Sequence, residues 1–106
     1  MINNYNNTIN KIKEYFNKEN YEELFLHGGC FFFANYIQKQ IPGSYLVLNK
    51  QQEHCAICIN GKVYDITGKI SGKGFEKATE RTYSYMRKNY KPKFDEKKLL
   101  NYLEQN

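Results

Sequence analysis

Apolar residues recur at spacings of three and four through Ile9, Ile12 and Phe16, and this period predicts a helix over Thr8 to Lys18 with Asn7 or Thr8 as its cap. Asn17 to Asn20 ends it. Tyr21 to Leu26 reads either as a short helical turn or as an extended lead into the glycines that follow, and the pattern leaves both open. Cys30, Phe33, Ala34, Ile37 and Ile41 form the next helical stripe, against a polar Gln38-Lys39-Gln40, and Pro42-Gly43 stops that helix. The period then changes. Tyr45 to Asn49 is a strand, Lys50 to Glu53 a polar turn, and Cys55 to Ile59 and Lys62 to Ile66 form a hairpin around Asn60-Gly61, the pair favoured in a two-residue type I′ turn.

That hairpin assigns Ile59 to Lys62, Cys58 to Val63, Ile57 to Tyr64, Ala56 to Asp65 and Cys55 to Ile66. Opposed residues share a face, so His54, Ala56, Cys58, Val63 and Asp65 project to one side, and Cys55, Ile57, Ile59, Tyr64 and Ile66 to the other. His54 and Asp65 are then diagonal neighbours, with Cβ atoms roughly 6 to 8 Å apart. One imidazole nitrogen comes within reach of the carboxylate, and the other points toward a helix packed on that face. The expectation is that this helix is the one beginning at Cys30.

Beyond Thr67 the pattern weakens into a polar loop punctuated by Gly68, Gly72 and Gly74. Ser71-Gly72-Lys73-Gly74 lacks the full phosphate-loop pattern. Phe75 to Thr79 reads as a turn anchoring Phe75, Thr82 to Met86 as a strand through alternating Tyr83 and Tyr85, and Tyr90 to Phe94 as an extension of the sheet. Asp95 caps a last helix through Tyr102, with Leu99, Leu100 and Leu103 on its apolar side. The Asn-rich beginning and the last few residues are expected to fray.

The 106 residues suffice for one domain, which at this size buries roughly 60 to 70 % of the surface of its unfolded chain. Ten Tyr and seven Phe without a Trp must supply much of the core volume. The formal charge of +5 suits an acidic partner or serves solubility alone, because the lysines are spread among acids. Only Arg81 and Arg87 are arginines and no dense basic run occurs, so nothing points to a specific nucleic acid. The first residues lack a basic and apolar leader pattern, and no window is long enough to span a bilayer. The expected setting is cytoplasmic and without membrane. Three cysteines do not suggest a disulfide scaffold.

The chemistry concentrates at Cys30. Gly28-Gly29 allows a sharp turn directly before the helix, where unpaired first-turn N–H groups and the positive helix end favour thiolate. With His54 as base and Asp65 orienting it, the chain carries the parts of a nucleophilic site. The plainer readings are a buried helical cysteine, a hydrogen-bonded edge histidine and a turn acid. Cys55 and Cys58 have knuckle-like spacing but fall on opposite strand faces, whereas a metal needs converging ligands; no metal and no cofactor is expected.

In the order His27-Gly28-Gly29-Cys30, then His54, then Val63-Tyr64-Asp65-Ile66-Thr67-Gly68, the stretch from Leu26 to Gly68 resembles the papain-like cysteine peptidase superfamily, in its compact bacterial and phage forms. The resemblance implies a compact papain-like α+β fold over residues 1–106, with N-terminal helices on a small antiparallel sheet and a C-terminal helix. It implies Cys30 as nucleophile, His54 as base and Asp65 as orienting group in a thiol-dependent hydrolase or acyltransferase acting on an amide or peptide bond. Many members place a glutamine several residues before the cysteine, where this chain has Leu24 and Phe25. Oxyanion or loop support is therefore sought from His27, Gly29, Tyr21 or a backbone group. The expected partner is a peptide or protein substrate, and the competing function is a noncatalytic protein-interaction or host-interfering module.

Overall fold

A computed structural model describes residues 2–17 and 20–105. The chain runs α1 (Ile2–Tyr15), α2 (Tyr21–Leu26), α3 (Cys30–Gln40), β1 (Tyr45–Asn49), β2 (His54–Ile59), β3 (Lys62–Asp65), β4 (Gly68–Ile70), β5 (Glu76–Lys77), α4 (Glu80–Asn89) and α5 (Glu96–Glu104). The five strands form one antiparallel sheet in the order β4-β3-β2-β1-β5. The fold is α+β, with N- and C-terminal helices flanking the sheet.

The hairpin registers as its sequence demands: Ile59 opposes Lys62, Cys58 opposes Val63 and Ile57 opposes Tyr64. Asn60 and Gly61 both take positive φ, 52° and 77°, as a type I′ turn requires. The helix from Cys30 to Gln40 also forms as patterned, with Cys30, Phe33, Ala34 and Ile37 buried.

The face on which that helix packs differs from the expectation. The main core joins Cys30, Phe33, Ala34 and Ile37 to Leu46, Leu48, Cys55, Ile57 and Ile59, so the helices cover the side opposite Ala56, Cys58 and Val63. The reason is apolar area. Leu46, Leu48, Ile57 and Ile59 present more surface to remove from water than Val47, Ala56, Cys58 and Val63, and the larger face takes the helical layer. The smaller face is covered by Tyr45, Ile70 and Phe75.

Other elements correct the pattern reading. The Asn-rich start is helix, and Tyr5 and Thr8 within it are buried. Asn7 and Thr8 are therefore internal residues and not caps; the Thr8 hydroxyl instead donates to the Asn4 carbonyl at 2.9 Å. The predicted helix end at Lys18 lies outside the described residues. Tyr21–Leu26 resolves as helix. Gly68–Ile70 and Glu76–Lys77 are short edge strands where loop and turn were expected. Thr82 to Met86 is helical, because Thr79 closes a capping box with Thr82 and because Met86 and Tyr90 are buried at helical spacing. Tyr90 to Phe94 follows that helix as irregular chain, not as a strand. Asp95 caps α5 as predicted, accepting the Lys98 N–H at 3.1 Å.

The turn between α2 and α3 is held on both sides. Gly28 has φ +103°, and a Cβ there would lie 2.3 Å from the Lys91 carbonyl oxygen. Gly29 has ordinary backbone angles, but a Cβ on it would lie 2.4 Å from the Leu24 carbonyl oxygen and 2.9 Å from the Phe94 ring. Its N–H donates to that Leu24 oxygen at 3.0 Å, so the clash cannot be relieved without losing the hydrogen bond. Gly29→Ala is therefore expected to destabilise the protein by about 2 kcal/mol or more, whereas Gly43→Ala, where nothing crowds the position, should cost only its φ strain. Equal denaturation midpoints for Gly29→Ala and wild type would show that the turn is looser than described.

Candidate functional site

His54 opens β2 and Asp65 closes β3, so both lie at one end of the sheet. The turn leading to His54 is fixed from within: the buried Asn49 side chain accepts the Gln52 N–H at 3.1 Å, and Glu53 takes φ +53° immediately before the histidine. His54 Nε2 lies 2.9 Å from Asp65 Oδ2, with side-chain exposures of 13 % and 7 %. The other carboxylate oxygen, Oδ1, accepts both the Thr67 N–H at 2.8 Å and the Thr67 hydroxyl at 2.5 Å. The Tyr5 hydroxyl donates to the Asp65 carbonyl, tying α1 to the same strand end. The Phe75 ring meets the imidazole edge to face at 6.0 Å.

These contacts set the charge states. Burial opposes the charged imidazole, but the hydrogen-bonded Asp65 carboxylate, with a further contribution from Cys30, pushes His54 up to about 9. Burial likewise opposes the Asp65 carboxylate, yet the hydrogen bonds from His54 and Thr67 and the imidazolium charge hold it below the ordinary range. The ring is thus predominantly imidazolium at neutral pH.

Cys30 stands at the first residue of α3, a different element and a different layer. Cys30 is 3 % exposed. It is not part of the wall of the adjacent cleft, a space of about 950 Å³ bounded by His54, Asp65, His27, Gly28, Phe75 and Tyr90 among others.

The remaining predicted support residues separate. His27 reaches the cleft, but its side chain is 69 % exposed and pairs with Glu23 at 3.3 Å. Gly29 spends its N–H on Leu24, so it holds the loop and offers no free donor. Tyr21 borders a separate surface hollow with Glu22 and Glu23. Cys55 and Cys58 face opposite sides of the sheet, as alternation predicts; Cys55 belongs to the helical core, where burial and then the charge of Cys30 push its thiol well up. Tyr90 was not singled out by the sequence, because the stretch around it read as strand. A buried tyrosine one turn beyond Met86 at the end of a helix is the signal that would have found it.

The chain matches the phage YunG-like protein family over residues 8–104. It belongs to that family. No curated protein and no solved structure gives a significant match. The match overturns the expected membership of the papain-like cysteine peptidases. A cysteine before a helix followed by a histidine and an aspartate on a hairpin specifies local geometry over about forty residues, and such an arrangement is not unique to one family. Among the described residues of this phage YunG-like chain, no helix is long and apolar enough to cross a membrane.

The His54–Asp65 pair links stability to pH. Below about 6.5 the imidazole is charged in both the folded and the unfolded chain and its contribution is complete; it is lost as pH rises through about 9. The Asp65 contribution is complete above the ordinary carboxylate range and is lost as pH falls through the lower folded value. Stability from this pair is therefore expected to plateau between about pH 5 and 6.5 and to decline toward pH 9, with Asp65→Asn flattening the alkaline decline. Titration of the His54 ring by NMR checks the cause directly, and a folded-state midpoint near 6.5 would contradict it.

Proposed function

We propose that this phage YunG-like protein carries out thiol-dependent acyl chemistry on an amide or peptide carbonyl, with Cys30 as nucleophile, His54 as proton carrier and Asp65 as the group that orients it. The observation that supports this most directly is the imidazole paired at 2.9 Å with a buried carboxylate at the edge of a cleft. Asp65 occupies Nε2, which leaves Nδ1 for exchange with sulfur and substrate. The Cys30 sulfur bonds to the carbonyl carbon, and the carbonyl π pair moves to oxygen. Collapse expels the leaving group, which takes the proton held by His54. Neutral His54 then removes a proton from water or from an acceptor amine as that nucleophile attacks the thioester, releasing the acyl product and restoring the thiol. A peptide or protein is the substrate class, and three free cysteines suit a reducing cytoplasm.

A second reading has its own support. Cys30 is nearly inaccessible and stands outside the cleft wall, as a packing cysteine would. On that reading the chain is a noncatalytic protein-interaction module, and the cleft beside His54 receives a partner side chain.

Alkylation by iodoacetamide, resolved by mass spectrometry at each cysteine across pH, separates the two. With an activated site, Cys30 reacts faster than Cys55 and Cys58 and keeps reacting below the ordinary thiol range, and His54→Ala slows it by about tenfold or more at pH 7. A Cys30 no faster than the other two cysteines in the folded protein would leave the interaction module as the function.

A further inference from the structure

Tyr90 ends α4 and is 7 % exposed, yet its hydroxyl is buried with no hydrogen-bond partner among the described residues. An unpaired buried hydroxyl loses its hydration without replacement, and a native fold keeps such a group only where something offsets the cost. The other buried tyrosine hydroxyl at this end of the molecule, that of Tyr5, donates to the Asp65 carbonyl.

The location of the orphaned group is specific. Tyr90 forms part of the wall of the cleft that contains His54 and Asp65. Its phenol is pushed above its ordinary range first by burial, then by the charge of Glu53 and then by that of Cys30. The backbone draws the two segments together, because Gly28, two residues before Cys30, lies directly against the carbonyl of Lys91, the residue after Tyr90. A phenol in this setting stays protonated at neutral pH, and it is a donor without an acceptor.

We infer that the Tyr90 hydroxyl donates a hydrogen bond to the carbonyl oxygen of an acyl group bound in this cleft, an inference that rests on the acyl chemistry proposed above. When the Cys30 sulfur bonds to the carbonyl carbon, the π pair passes to oxygen, and the Tyr90 O–H together with the Cys30 backbone N–H holds the resulting oxyanion. The pair returns to re-form the carbonyl as the leaving group departs. Tyr90 keeps its proton throughout. It thus fills the role for which His27, Gly29 and Tyr21 are poorly placed: the first is solvent-exposed and paired with Glu23, the second has used its N–H, and the third lies outside the cleft.

The test compares two reagents on the full chain. Acetylation of Cys30 by p-nitrophenyl acetate passes through a carbonyl addition, whereas alkylation by iodoacetamide displaces iodide at a saturated carbon and forms no oxyanion. Tyr90→Phe is expected to slow acetylation by at least about tenfold, to leave alkylation within about twofold of wild type, and to leave the thermal midpoint unchanged or higher because the orphaned hydroxyl is gone. Equal acetylation rates in the two proteins would overturn the role of Tyr90 while leaving the acyl chemistry standing. So would a Tyr90→Phe that slows both reagents alike, since that marks a general effect on the thiol. A wild-type Cys30 that neither reagent modifies would remove the acyl reading itself, and this inference with it.

Discussion

At Gly28 and Gly29 the chain passes between the Leu24 carbonyl on one side and the Lys91 carbonyl on the other, with no volume for a side chain. Three separate elements take their positions from that contact. It sets the start of α3 and hence Cys30; it draws the segment after α4 inward and hence Tyr90; and its Gly28 lines the cleft together with His54 and Asp65. A backbone approach of this kind tolerates little adjustment, because carbonyl oxygens cannot move aside as a flexible side chain can.

The charged pair at the strand ends works within that frame. Each member would be disfavoured by burial alone, and each is charged because the other is. Thr67 completes the arrangement by occupying the remaining carboxylate oxygen, so Asp65 has little freedom to swing away from the ring. Orientation of His54 is thus inherited from a two-residue turn and a threonine, with Tyr5 of α1 holding the Asp65 carbonyl.

How much of this could be read from the chain depends on how local the determining physics is. The Asn60-Gly61 turn requires positive φ at both positions, a constraint carried by two residues, and the pairing of His54 with Asp65 follows from register. The stripe from Cys30 to Ile41 likewise reports its own helix. The side of the sheet on which that helix lies depends on the comparison of two faces, and Leu46 and Leu48 of β1 decide it together with Ile57 and Ile59 of β2. Tyr83 and Tyr85 alternate as strand residues do, but Thr79 with Thr82 supplies a cap, and Met86 with Tyr90 supplies a buried side; cap and packing override the alternation. Gly68–Ile70 and Glu76–Lys77 are strands only because β3 and β1 offer them unpaired backbone. No period of their own announces them.

Those last two strands have a consequence for the sheet as a whole. Both lateral margins end in segments of two or three residues, and Lys69, Glu76 and Lys77 on them are exposed and charged. A neighbouring chain seeking to extend the sheet would meet a short ladder and would have to desolvate ionised side chains to use it. The protein is consequently guarded against edge-to-edge association, and recognition by strand addition is disfavoured on both sides.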